Sequence, residues 1–411
     1  MSSFLRYDEL MGSVHGDDGG RTFALVCVLC GRPETEDRLN RCTDCGGAID
    51  ALHDLTDVQI RPSPNPLLRY FDLLPLRGPA SAAWLGEGNT PCIHAERLGA
   101  AVGLDRLYLK DEGANPTRST KDRIASLGLS RFGEVGVKAL VIASTGNSST
   151  AYARAAQLLG GVQLHVFCGT RFLPRLNYVD HPAVITHVVA GGFDAAGAVA
   201  KRFAADEGIH FEGGFFSLSR REGLKLAYLE AFDQMPQAPA FVFQAVSSGM
   251  GLLGGYKGAL EYHRLGRLSR VPGFVAVQQE SCAPMVRAFH ERAEQIADEH
   301  IVRNPTGVAE AILRGNPTQS YRYIRAVCED SGGTMTAVDE SAIHAARRQL
   351  EELEGIRSCH AAAAALAGAI RLRGEGLLEA DTPVLVNLTG ADRPLAPVPT
   401  RLVTHEAPET Q

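Results

Sequence analysis

The chain lacks any apolar run long enough to cross a membrane. Its longest stretch of small apolar residues, Ala361 to Ile370, ends at Arg371, about half of the roughly 20 residues a span needs. It also lacks a strong excess of either charge: 41 basic and 47 acidic side chains give 41 − 47 = −6 over 411 residues. That balance offers no electrostatic case for a nucleic-acid scaffold or an anionic membrane partner. The opening residues, Met1 to Leu10, show no basic stretch followed by an apolar core, so no secretory signal is expected. An even cysteine count is missing too: there are nine, four of them in two close pairs. The expectation is a reduced, cytoplasmic chain that uses those four for metal rather than disulfides.

Apolar content of 45% and charged content of 21% belong to a folded protein. Glycine is abundant, with 43 residues, which points to many tight turns and close backbone approaches to a ligand. By length, two or three domains are expected.

Cys27-Val-Leu-Cys30-Gly31 and Cys42-Thr-Asp-Cys45-Gly46 repeat one device. Two thiolates three apart, followed by glycine, form a knuckle, and two knuckles complete a tetrahedral zinc site. With all four positions filled by protein, such a zinc is structural, supplying stability that a segment of about fifty residues lacks. The intervening loop carries Arg32, Arg38 and Arg41 against Glu34, Glu36, Asp37 and Asp44. Without net positive charge or an aromatic stripe, it is not expected to bind nucleic acid.

Beyond a proline-rich connector (Pro62, Pro64, Pro66, Pro75, Pro79), apolar strand candidates alternate with helical patterns. The strands are read at Leu107–Leu109, Ala139–Ile142, Leu164–Phe167, Ile185–Val189, Phe241–Val246, Val275–Val277 and Val384–Leu388. The helices are read at Thr150–Leu159, Ala195–Asp206, Glu222–Phe232, Gly254–His263 and Glu340–Leu353. Such alternation implies an α/β fold with parallel sheets flanked by helices. Ligands in these sheets bind beyond the carboxyl ends of strands, so the residues just after each strand hold the chemistry.

Four such loops stand out. In Lys110 to Arg123, Ser119 is placed to cap a helix with Lys121 in its first turn, where the helix dipole favours a neutral, nucleophilic amine. Ser144-Thr145-Gly146-Asn147 opens a helix with hydroxyls and an amide that suit an anionic or phenolic oxygen. Ser247-Ser248-Gly249-Met250-Gly251 is a strand-to-helix turn whose bare amides suit a phosphate. Thr389 and Gly390 end the last strand.

In this order the loops resemble the pyridoxal-phosphate enzymes of the tryptophan synthase β class, most closely its threonine synthases, from about Leu85 to about Asp392. Gly86 to Pro91 is similar to the "GEGNTPL" opening. Leu109 to Arg123 is similar to "LKxE…NPTGSFKDR", Ser144 to Asn147 to "STGN", and Arg220 to Lys225 to "RxEGxK". Some members of that family also carry an N-terminal zinc ribbon. The resemblance implies a two-domain fold type II enzyme with pyridoxal 5'-phosphate and an amino-acid substrate, commonly a homodimer, with neither nucleic acid nor membrane as partner. The implied layout is a zinc ribbon over 1–60, a large cofactor domain over 61–122 and 230–400, a small domain over 123–229 and a flexible tail over 401–411.

The resemblance also implies roles. Lys121 would hold the cofactor covalently and move the α-proton, and Asn147 would bond the ring phenolate. Ser247, Ser248, Gly249, Met250 and Gly251 would cradle the cofactor phosphate, and Thr389 would meet the ring nitrogen. Lys110, Ser144, Thr145 and Arg220 would bind a substrate phosphate. The implied reaction converts O-phospho-L-homoserine and water to L-threonine and phosphate. The alternatives are β-replacement or elimination on O-phosphoserine or a related amino acid, and a non-catalytic zinc-ribbon binding protein.

The chain departs from the family pattern at several points. Arg118 stands for a glycine and Thr120 for a phenylalanine. Ser248 and Gly251 replace the asparagines of "GNxGN", and Ser358-Cys359-His360-Ala361 replaces "EPxSA". Thr389-Gly390-Ala391-Asp392-Arg393 replaces "TGNGLKD". A guanidinium at 118, close to the reactive lysine, is suited to clamp a sulfonate, phosphonate or carboxylate.

Overall fold

The computed structural model describes residues 4–12, 23–37, 40–393 and 397–406. Arg38 of the knuckle loop and residues 407–411 of the expected tail lie outside them. The strands, in chain order, are β1 (Phe23–Cys27), β2 (Pro33–Glu34), β3 (Ile49–His53), β4 (Cys92–His94), β5 (Leu107–Asp111), β6 (Ala139–Ala143) and β7 (Gln163–Gly169). They continue with β8 (Val184–Val189), β9 (His210–Phe211), β10 (Phe241–Ala245), β11 (Gly273–Gln279), β12 (Thr334–Val338), β13 (Val384–Leu388) and β14 (Leu402–His405). Every strand and helix expected from the sequence forms, within a few residues at its ends. No described helix is long and apolar enough to cross a membrane.

The chain divides into two compact units. The first comprises Gly88–Thr120 and Leu224–Asp392 with the residues up to Glu9; the second comprises Leu10–Glu87, Lys121–Gly223 and the segment from Arg393. Residues 61–87, expected with the large domain, thus group with the second unit. The knuckle segment groups there too, because its hydrophobic core is completed by Leu218 from outside it. The backbone passes from the first unit to the second between Thr120 and Lys121.

The first unit holds a six-stranded sheet in the order β12-β11-β10-β13-β5-β4, parallel except for β4 against β5. Its strands are covered on both faces, so they read as unbroken apolar runs. The alanine run noted above becomes helix His360–Gly374, in which Ala361 to Ala365 are buried. Small side chains let this helix lie close on the sheet: a Cβ at Gly368 would stand 2.5 Å from a methyl of Val277.

The second unit holds a five-stranded parallel sheet in the order β14-β8-β7-β6-β9. Beside it lies the three-stranded antiparallel sheet β2-β1-β3 of the knuckle segment. Strand β14 corrects the expected flexible tail. Leu402 to His405 pair with Thr186 to Val189 of β8, and side chains reinforce the pairing. His187 stacks on Phe167 at 4.1 Å between ring centroids. Its two ring nitrogens lie 3.1 Å from His165 and 2.8 Å from His405. Composition marked this segment as polar, whereas its docking depends on a partner strand more than two hundred residues away.

Burial, then the charges of His165 and His405, pull the His187 pKa from 6.5 to about 3. Burial also lowers His165 and His405. Each binds a proton more readily when unfolded, so their contribution is complete above about pH 6.5 and shrinks as pH falls towards 3. Urea unfolding followed by circular dichroism should therefore show a midpoint that drops between about pH 7.5 and pH 5. His187→Phe should flatten that dependence, and an unchanged slope would contradict this account of β14.

Candidate functional site

In the first unit, the residues beyond the strand ends are locked by a buried polar network. Glu112 accepts hydrogen bonds from Thr90 Oγ1 at 2.6 Å and Asn115 Nδ2 at 2.9 Å, and Asn115 in turn accepts the Gly88 amide at 2.9 Å. The "GEGNTP" and "NPT" segments are therefore two halves of one knot that fixes where the chain runs into Lys121. Lys110 is part of the same knot. Its buried ammonium donates to Thr90 O at 2.6 Å and to Glu230 Oε2 at 3.0 Å. This satisfied, buried ion pair makes Lys110 a strut from β5 to helix Leu218–Gln234, a correction to its expected place on a substrate phosphate.

Arg118 takes the left-handed conformation, φ 59°, as suits the glycine it replaces. A side chain there costs about 1–2 kcal/mol. Its backbone holds on both sides, with Arg118 N donating to Asn115 O at 2.8 Å and Arg118 O accepting from Ala391 N at 2.9 Å. The side chain is exposed. Directly after it, Thr120 N donates to Thr389 O at 3.0 Å, so the end of β13 registers the last residue before the lysine. The helix begins at Lys121 itself, one residue later than a Ser119 cap requires.

After β10, Ser247 to Gly251 turn into helix Met250–Arg264. Gly249 precedes it with φ 80°, and no side chain caps the helix. A Cβ on Gly249 would lie 2.3 Å from Ile324, and one on Gly251 would lie 2.8 Å from the Gln244 amide. Glycine is thus required twice, and the first-turn amides are left uncapped, a cradle of the kind that takes a phosphate. Thr389 stands partly exposed at the end of β13, where no described group bonds its hydroxyl.

In the second unit, Lys121 opens helix Lys121–Glu134. Although the residue is only partly covered, desolvation by surrounding protein and then the charge of Arg220 pull its pKa from 10.5 to about 8. After β6, Ser144 Oγ accepts from the amides of Gly146 at 3.2 Å and Ser149 at 3.1 Å. Ser144 therefore shapes the turn, while Thr145 and Asn147 stand partly exposed with no described partner for their side chains.

Arg220 is buried. Its Nε donates to Glu212 Oε1 at 2.5 Å and its Nη1 to Ser148 Oγ at 3.2 Å. Tyr152 donates to the same carboxylate oxygen at 3.1 Å. Among the described residues, Nη2 has no protein partner. Glu212 and Ser148 were missed in the sequence. Glu212 follows β9, a strand of two residues, too short to register as a period-two pattern; a search beyond every strand end would have found it.

The four knuckle cysteines converge. Their sulfurs lie within 4.8 Å of one another, with Cys27–Cys45 at 3.5 Å and Cys30–Cys42 at 3.7 Å. These exceed a disulfide bond of about 2.05 Å. They sit close to the edge of ~3.8 Å that a tetrahedron of 2.3 Å zinc–sulfur bonds requires. Gly31 and Gly46 take φ of 79° and 69°, and their amides return to Cys27 O and Cys42 O. The donor set fits zinc.

The protein belongs to the pyridoxal-phosphate dependent enzyme family, whose model matches residues 83–390, and it is a pyridoxal-phosphate-dependent lyase. It is 32% identical over 378 residues to a threonine synthase of Methanosarcina acetivorans, covering 90% of this chain and 91% of that one. It is 29% identical over 388 residues to a cysteate synthase of Methanocella paludicola, with coverage of 90% and 89%. The fold resembles threonine deaminase isoform 2 of Solanum lycopersicum at a TM-score of 0.62 and 18% identity, covering 82% and 93% of the two chains. The glycine-lined turn, the Asn147 amide and the depressed amine of Lys121 all fit the family's cofactor.

With a lowered amine, capture of the cofactor aldehyde by cofactor-free protein should accelerate as pH rises through about 8. Arg220→Ala removes a like charge and should move that midpoint upward. Absorbance-monitored reconstitution against pH checks both, and a midpoint that stays in place in Arg220→Ala would contradict the coupling.

Proposed function

We propose that the protein converts O-phospho-L-homoserine and water to L-threonine and phosphate. The observation that carries this reading is Arg220, a buried guanidinium aimed by Glu212 and Ser148, whose Nη2 has no protein partner among the described residues. Arginine in that state suits an anionic oxygen such as that of a phosphate. The relatives named threonine synthase support the same assignment.

Bound pyridoxal phosphate supplies an electron sink for the pair released when an amino-acid Cα–H bond breaks. The chain's own residues do the rest. Lys121 would hold the cofactor through Nζ and would take and return the α-proton, for which an amine with a pKa of about 8 is suited near neutral pH. Asn147 would donate its amide to the cofactor's phenolic oxygen, the amides of Ser247 to Gly251 would hold its phosphate, and Thr389 would offer a neutral hydroxyl to the ring nitrogen. Arg220 and Thr145 bind the substrate phosphate and neutralise it as it leaves Cγ; a Cβ proton is lost with that departure, a proton is delivered to Cγ to complete the methyl group, and water then adds at Cβ as the α-proton returns. The four cysteines hold a structural zinc. We place the enzyme in the cytoplasm as a homodimer.

Arg118 favours a second reading. An exposed guanidinium two residues from Thr120, kept in a strained backbone, suits an anionic nucleophile. β-Replacement of phosphate on O-phosphoserine by sulfite, which yields cysteate and phosphate, is a reaction of that kind. Phosphate release and amino-acid chromatography decide between the readings. The first requires L-threonine from O-phospho-L-homoserine; turnover of O-phosphoserine alone would overturn it. Arg118→Gly should relieve backbone strain and raise the melting temperature by about one to two degrees. It should leave phosphohomoserine turnover within about threefold on the first reading and reduce sulfite-dependent turnover more than tenfold on the second.

A further inference from the structure

The knuckle segment grips the part of the chain that presents Arg220. Asp50 on β3 and Arg221 form a fully buried ion pair, with Nε and Nη2 of Arg221 donating to the same carboxylate oxygen at 2.9 and 2.7 Å. The same guanidinium donates to Ile49 O and to Phe215 O, both at 2.5 Å. One planar group thus ties β3 to the middle of the turn that runs from Glu212 to Arg220 and, through its own backbone, to the turn's far end. Three further contacts act on that turn. Asn40 Nδ2 donates to Phe211 O at 2.9 Å, and Arg41 stacks over Phe216 at 3.3 Å from the ring centroid. Leu218 packs into the same small core as Cys27 and Cys42.

Glu212 and Arg220 therefore sit at the two ends of a loop held by residues that flank metal-ligating cysteines. A segment with so small a core keeps its shape only while its knuckles are closed. Asn40 and Arg41 directly precede Cys42, so their grip depends on that knuckle. We infer that the cysteine knuckles position the substrate-anion site, with Asp50 and Arg221 as the positioning residues that aim Arg220. The inference rests on the assignment of Arg220 to the substrate phosphate. It gives the N-terminal segment a role in substrate affinity, distinct from fold stability and from cofactor retention.

The experiment measures inorganic phosphate binding to the holoenzyme by calorimetry, together with KM and kcat for phosphohomoserine. Asp50→Asn, Arg221→Lys and holoenzyme treated with a zinc chelator are compared with Arg220→Ala. Expected is a loss of phosphate affinity and a rise in KM of about tenfold or more in each, with kcat within about twofold for Asp50→Asn and Arg221→Lys. Cofactor absorbance should be unchanged throughout. Should Asp50→Asn fail to fold, Arg221→Lys, which keeps the charge and loses the planar fork, and the chelated protein decide. If Arg220→Ala weakens phosphate binding while the other three bind it as the parent does, the positioning inference falls and the substrate assignment stands. If Arg220→Ala binds phosphate unchanged, the assignment falls and takes the inference with it.

Discussion

An amine must give up its proton before it can attack an aldehyde, and the structure arranges this for Lys121 by burial and by one fixed like charge. Arg220 can supply that charge because Glu212 holds it in the protein interior, where a lone guanidinium would be costly. The acid does not cancel the effect: desolvation and Arg220 together still bring the amine to about 8. The buried cation at Arg220 thus tunes the amine of Lys121.

The backbone around the lysine is correspondingly over-determined. Thr120 is registered on Thr389, Arg118 is held between Asn115 and Ala391, and the chain changes unit at the next residue. The left-handed Arg118 keeps a positive φ at this turn without a glycine, at a cost in backbone strain.

The sheets and the loops beyond their strand ends were legible because they depend on local chemistry. Buried parallel strands read as short apolar runs, and the loops follow them. The cysteine knuckles were legible from spacing alone. What stayed hidden depends on partners distant in the chain. Lys110 is claimed by Glu230 at a separation of 120 residues, and no local pattern distinguishes a strut from an anion ligand. Asp50 lies in an ordinary-looking strand, and its meaning appears only with Arg221 at a separation of 171. Strand β14 looked like a polar tail because His405 finds His187 only in the folded state.

The account stands on a covalent bond between one amine and the cofactor. Borohydride reduction of the holoenzyme, digestion and mass spectrometry should place a single reduced pyridoxyl phosphate on the peptide containing Lys121, with none retained by Lys121→Ala. The label on any other lysine, or an unlabelled Lys121 in protein that turns over its substrate, would contradict it.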